Sequence, residues 1–418
     1  MHYALFAAMI MALVACDTVP THPNDEIHKA HSNIIANQKK QNSYPKLDSN
    51  PPYFNEKENP NEKILAYKIA DEAMYTVNRN YDQENKKASR DAHPKENGCV
   101  NAEFHVKGKL PDKLAKGVFA PGQAYEALIR FSNSSENPKG NDHDPDARGM
   151  AIKLTNKHEK KNKKGEGEFR TMNQDFVMIN HPVFILDDPS DYLSLVQAQN
   201  STSTLGKLFK IPFALGFRGI WNAYHTIFQD QVLNPLQTQY YSMVPYRLGN
   251  KEDQDRRAIK FSVRPFSNPS NHQDFPEKGQ SCIKVESDKP KQNAKNYLRT
   301  ALFKTLETGG ACMEFLIQLA PEGMSVENSQ VEWDSPFTPV ALIKIPQITS
   351  DEVDSTGKKK IHRSCEDESF DPWHAWDEHR PLGVVNRLRK VIYPIVSDYR
   401  ECLNYPSRDK CQVKAKVK

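Results

Sequence analysis

The 418-residue sequence lacks any apolar run long enough to cross a bilayer as a helix. Its longest candidate, Ala4 to Ala15, is too short, and Met1, His2 and Tyr3 ahead of it include no lysine or arginine. An excess of one charge is also missing: 57 Lys and Arg stand against 53 Asp and Glu, a formal net charge of +4. The basic residues are scattered and no RNA or DNA motif is visible, so nucleic acid is not an expected partner. The one dense run, Lys157 to Lys164, lies between strand-like segments and reads as a solvated hairpin loop. No internal repeat is evident, and the seven cysteines show no metal-cluster spacing. His374 and His379 are five apart and do not share a helical face, which argues against zinc. Asp144-Pro145-Asp146 reads as a tight turn rather than a metal site.

What the amino terminus does have is a signal-peptide core in Ala4 to Ala15. It ends Leu13-Val14-Ala15-Cys16, which resembles the bacterial lipobox, where the cysteine is diacylated and becomes the new terminus. The resemblance implies a signal peptide over 1–15, lipidation at Cys16 and a periplasmic, membrane-anchored lipoprotein; an uncleaved or ordinary secretory signal is the alternative. Asp17 is similar to the signal for retention in the inner membrane. Residues 16–60 are rich in Asn, Pro, Lys, Asp and Ser and read as a solvated tether. With Cys16 set aside, six cysteines remain, an even number that permits disulfides in an oxidising compartment. Cys402 and Cys411 are placed to staple the basic tail, 406–418.

Between these ends the chain reads as one domain over 61–405. Leu65, Ile69, Ala73 and Val77 repeat at helical spacing. From Cys99 the period becomes two, with Val100, Ala102, Phe104 and Val106 alternating with polar residues as in a half-buried strand. Short apolar runs follow at Ala127–Phe131, Ala151–Leu154, Phe176–Ile185, Ala258–Pro265, Cys312–Leu319 and Pro339–Ile345, separated by turn-forming residues. Leu205 to Phe228 is aromatic-rich and helical or irregular, and Ala294 to Thr308 is a helix. This pattern predicts an α+β fold, an antiparallel β-barrel with appended helices.

The most informative stretch is Gly383 to Cys402. At about 100° per residue, Val384, Val385, Leu388, Ile392, Ile395 and Tyr399 form one apolar stripe. Arg389, Tyr393 and Arg400 project together beside it, at i, i+4 and i+11. Two cations flanking a phenol suit a bound anionic group, although a packed tyrosine between two surface arginines gives the same pattern. Pro394 removes a backbone donor in mid-helix.

Upstream lie four short constellations: Arg90-Asp91-Ala92-His93, Arg130-Phe131-Ser132, Arg148-Gly149-Met150-Ala151-Ile152-Lys153, and Asn180-His181-Pro182-Val183-Phe184. Each is weak alone. In order and local wording they resemble the catalase family. RDAHPKENG is similar to the segment carrying the family's distal histidine, RFS and RGMAIK to its strands RFS and RGFAVK, and MINHPVF to its NNTPVF segment. Arg389, Tyr393-Pro394 and Arg400 match the family's proximal helix. Residues from about 195 to 370 match only loosely.

The resemblance implies a barrel around a buried haem of the b type, and decomposition of hydrogen peroxide through a ferryl intermediate. Tyr393 would be the axial ligand of the haem iron, supported by Arg389, and Arg90, Arg130 and Arg400 would pair with the haem propionates. His93 would move a proton between the peroxide oxygens, Asn180 would hold the peroxide, and Ser132 would orient the imidazole. Peroxidase turnover with an unknown reductant is part of the same expectation. Conversion of lipid or other organic hydroperoxides is one alternative, and a haem-binding lipoprotein without turnover is another. Ala92 stands where the family usually has valine and His181 where it has threonine, and the resemblance is not extended to NADPH.

Overall fold

The alternation beginning at Cys99 becomes β1 (Glu96–Val106), in which Val100, Ala102, Phe104 and Val106 point inward and Asn101 and Glu103 face water. The computed structural model describes residues 56–155, 174–201, 203–266, 285, 289–348 and 365–406. The signal segment, residues 16–55 of the tether, Lys157–Lys164, Cys411 and the tail from 407 lie outside them. Residues 56–60 of the tether are described, and Glu56 is buried.

The remaining strands are β2 (Ala124–Asn133), β3 (Arg148–Thr155), β4 (Gln174–Ile179), β5 (Tyr240–Tyr241), β6 (Tyr246–Leu248), β7 (Arg257–Pro265), β8 (Ala311–Leu319) and β9 (Phe337–Ile345). All neighbours are antiparallel. Because β5 pairs with both β4 and β7, the strands β1-β2-β3-β4-β5-β7-β8-β9 close on themselves as an eight-membered ring, with β6 added along β7. Closure removes the open edges that an antiparallel sheet would otherwise expose. The barrel is filled by Phe104, Phe176, Phe261 and Phe315, with ring centroids 4.7 Å apart for Phe176 and Phe315 and 4.9 Å for Phe176 and Phe261. The predicted barrel is therefore present.

Among the described residues five helices of eight residues or more pack around it: α1 (Glu62–Arg79), α2 (Pro189–Asn200), α3 (Thr204–Ile227), α4 (Tyr297–Thr308) and α5 (Gly383–Asn404). The apolar stripe of α5 is divided between two cores. Val384 and Val385 join the barrel core, whereas Leu388, Ile392, Ile395 and Tyr399 pack against Ala66, Ile69, Ala73 and Val77 of α1. Near its start, the fully buried Arg387 is bound by Glu62 at 2.7 Å, Glu327 at 2.9 Å and Glu56 at 3.0 Å. A charge so deeply desolvated needs this pairing, and the three carboxylates fix the helix's entry. Pro394 lies inside α5, which continues past it to Asn404.

Two local expectations differ from the structure. The run Phe176–Ile185 is not one strand: β4 ends at Ile179, where the Asn180 carboxamide accepts the Arg148 backbone N–H at 2.7 Å and turns the chain. Helix α2 was not expected, although its start carries an Asp188 cap that accepts from the backbone N–H of Ser190 and Asp191, followed by proline at the first helical position. A disulfide joins Cys99 on β1 to Cys365. Cys312 and Cys402 are also disulfide-bonded, to partners outside the described residues, so the Cys402–Cys411 pairing lies outside them too.

Candidate active site

The turn ahead of β1 presents His93 with a φ of 56°, in the left-handed region that a β-carbon disfavours. Such a conformation persists where surrounding contacts over-determine it, and they do here. The Ser132 hydroxyl on β2 lies 3.1 Å from His93 Nδ1, and Arg130, two residues earlier on the same strand, donates to the His93 carbonyl at 2.9 Å. Across β3, a β-carbon on Gly149 would collide with both the imidazole and the Ser132 hydroxyl, so only glycine leaves room for that pair. Burial, then the charges of Arg130, Arg389 and Arg90, pushes the His93 pKa down to about 3. The ring is neutral near pH 7 and able to accept a proton.

Asn180 stands at the end of β4. Its carboxamide oxygen accepts from Arg148, and one of its amide N–H groups donates to Gln229 at 2.8 Å, just beyond α3. The amide is held in orientation, with its second N–H still to give. His181 beside it is depressed to about 4 by burial and by His225, and its Nε2 has no hydrogen bond among the described residues.

Tyr393 projects from α5 one turn after Arg389. Burial raises its phenol pKa and outweighs the opposing effect of Arg389. The guanidinium alone therefore does not ionise the phenol; a positive charge held at the oxygen would favour the phenolate. Among the described residues no carboxylate pairs with Arg389, which lies over the Phe184 ring at 5.4 Å and reaches Asn386 at 3.5 Å. Arg389 and Arg90 act electrostatically on both His93 and Tyr393. The two predicted side chains therefore border one charged region. Asp91, His93, Tyr192 and Tyr393 each keep some accessible surface.

Arg90, Arg130 and Arg400 also converge. Burial and the charges of Arg130 and Arg400 lower the Arg90 pKa to about 9. Part of that repulsion is offset by Glu366, which accepts from Arg130 at 2.8 Å, while Arg90 donates to the carbonyls of Cys365 and Glu368 at 2.7 and 2.6 Å. Arg90 Nε and Arg400 Nη1 still lack hydrogen-bond partners among the described residues. Unfilled donors on clustered guanidiniums, one of which also acts on the Tyr393 phenol, fit a metal-bearing group that carries carboxylates.

Residues 63–212 match the family model described as Catalase. A fungal catalase structure superposes with a TM-score of 0.56 at 18% identity, covering 78% of this chain and 61% of its own. The chain has the catalase fold. Catalase A from Saccharomyces cerevisiae superposes with a TM-score of 0.55 at 18% identity, covering 75% of this chain and 61% of that one. A bacterial catalase gives a TM-score of 0.51 at 16% identity, covering 90% of this chain and 67% of that one. The family match spans 150 of the 418 residues, and the chain spans about three fifths of the length of the first two structures. No curated protein sequence matches it.

Of the site residues named from the sequence, Arg90, His93, Arg130, Ser132, Asn180, Arg389, Tyr393 and Arg400 lie among the described residues, and Cys16 lies outside them. Sequence reasoning missed Gly149, Gln229, Tyr192 and Glu366. Gly149 lay inside a recognised strand, but its necessity depends on a histidine 56 positions earlier. Glu366 is delivered by the Cys99–Cys365 disulfide, which no local pattern announces. No cluster of metal-ligating His, Cys, Asp or Glu occurs among the described residues. His374 instead faces Asp175 at 3.1 Å, and His379 accepts the Val118 backbone N–H at 3.0 Å.

Proposed function

We propose that the chain is a haem-dependent enzyme that converts two molecules of hydrogen peroxide into two of water and one of oxygen. The observation that carries this reading is the neutral His93, fixed by Ser132 and bordering the same arginines as Tyr393. Tyr393 would hold the iron as phenolate, with Arg389 supporting its charge, and Arg90, Arg130 and Arg400 would hold the carboxylates of a b-type haem. When bound, the haem would supply the redox equivalents. His93 accepts a proton from one peroxide oxygen and returns it to the other as the O–O bond breaks, and the remaining Asn180 N–H holds the peroxide. A carrier that only stored haem would have no use for this neutral base and oriented amide, which sets the non-enzymatic reading aside.

Turnover with an external reductant remains part of the proposal, as does a periplasmic site on an inner-membrane lipid anchor at Cys16. Organic hydroperoxides form the second reading, favoured by the apolar face that α3 exposes beside this region. The visible spectrum of the purified protein, followed by oxygen release from hydrogen peroxide, tests the first. His93→Ala should keep the haem spectrum and lose oxygen release. A protein purified with haem that oxidises guaiacol or consumes organic hydroperoxides, but releases no oxygen from hydrogen peroxide, would reject dismutation.

A further inference from the structure

Helix α3 leaves an aromatic stripe in solvent. Phe209, Phe213, Phe217 and Trp221 recur at every fourth position and are 72%, 89%, 88% and 59% exposed. Isolated exposed apolar residues are ordinary, but four large aromatics in register are not. The other side of the helix is satisfied: Ile211, Ala214, Leu215 and Ala223 pack onto Leu186, Leu195 and Ala198. The exposed stripe is therefore not needed to hold α3 in the fold. It continues across a break at Gly216, whose φ is 59°, so both halves of α3 present aromatics outward.

From Thr204 to Ile227 there is no Asp or Glu, and the exposed charges are Lys210, and Arg218, on which Asp187 ahead of α2 acts. Aromatics on one face, cations beside them and no acidic residue is the composition of a helix lying in the headgroup region of an anionic bilayer. No described helix is long and apolar enough to cross a membrane, so such a helix lies on the surface. A second copy of the chain is less well matched, because α3 against α3 would set Lys210 and Arg218 of the two copies facing helices that offer no acidic partner.

We infer that the exposed face of α3 is a membrane-docking surface for anionic lipid, seating Phe209, Phe213, Phe217 and Trp221 among the acyl chains. The far end of the helix reaches the site. Trp221 makes an edge contact with His225 at 4.4 Å, His225 acts on His181, and Gln229 just past α3 holds Asn180. Docking thus seats on the bilayer the helix whose far end leads to the partner of Asn180.

The test uses the full-length chain in vesicles with brominated acyl chains, which quench only tryptophan that enters the bilayer. Trp221 is the one tryptophan on this helix, and Trp333 is buried. In phosphatidylglycerol vesicles a quenched component is expected that disappears in Trp221→Phe and falls several-fold in the Phe213→Ser/Phe217→Ser double variant. In phosphatidylcholine vesicles it should be several-fold weaker. Because a lipid anchor would attach the chain to either vesicle, binding alone decides nothing. Vesicle-bound chain with unquenched Trp221, or equal quenching with both lipids, would overturn the proposal. So would a lipid-free dimer that shields Trp221 from iodide and is dispersed by the double variant, which would assign the face to a second copy.

Discussion

The imidazole of His93 and a side chain at position 149 compete for one space. A β-carbon on Gly149 would meet His93 Nδ1 and the Ser132 hydroxyl together, so the strand that supports the histidine does so by offering bare backbone. Gly149→Ala should therefore displace the imidazole without touching α5. Oxygen release is expected to fall by about 100-fold, the scale of a misplaced general acid–base, while the haem spectrum stays that of the parent. Retained turnover would show that the imidazole does not need its present position.

Tyr393 and Arg389 make separable contributions. Tyr393→Phe removes the only atom proposed to bind the iron and should change the visible spectrum outright or abolish haem retention. Arg389→Leu leaves the phenol but removes the cation that opposes its burial. It should weaken haem binding by roughly 10-fold, measured by titrating apoprotein with haem, and shift the spectrum. A Tyr393→Phe protein spectrally identical to the parent would overturn the ligand assignment.

Glu366 offers a test of the arginine cluster that does not depend on turnover. Burial raises its pKa, but Arg130 and Arg90 outweigh that effect and hold it below the usual carboxylate value. Glu366→Gln removes a negative charge from among three guanidiniums. The apoprotein should lose on the order of 2 kcal/mol in urea denaturation, and haem should recover more of that stability than in the parent. Equal haem stabilisation in the two proteins would mean that the cluster does not hold the haem carboxylates.

Acid sensitivity follows from buried histidine. Burial lowers His93 and His379 to about 3 in the folded chain, against 6.5 for an ordinary histidine. Between those values the unfolded chain binds more protons, so stability rises with pH: the contribution is complete above pH 6.5 and is lost as pH falls towards 3. His379→Gln keeps an acceptor for the Val118 N–H but cannot titrate. Its loss of stability from pH 7 to pH 4.5 should be smaller than the parent's by on the order of 2 kcal/mol, read from urea midpoints at the two pH values. An unchanged difference would show that His379 protonates without penalty in the fold.

Much of this architecture is local and was legible as such. The alternation of β1, the apolar stripe of α5 and the juxtaposition of Arg389, Tyr393 and Arg400 each follow from side-chain period over a few turns or pleats. Asn180 was legible as a turn residue but not as an amide clamped between Arg148 and Gln229, since those partners lie 32 and 49 positions away. Helix α2 had a readable cap and first-position proline and was overlooked. The two-residue β5 is different: it is defined only by its pairing with β4 and β7, and nothing in so short a segment distinguishes it from a turn.

The sequence by itself determined the longer barrel strands, the helix that carries the phenol, and the spacing of Arg389, Tyr393 and Arg400 on it, because periodicity and motif spacing act over short distances. Only the tertiary structure decided that His93 and Tyr393 border the same arginines, that Glu366 enters the cluster from a disulfide spanning 266 residues, and that α3 turns its aromatics outward. Those outcomes depend on which surfaces meet when the barrel closes. Closure brings together side chains whose separation along the chain says nothing about their separation in space.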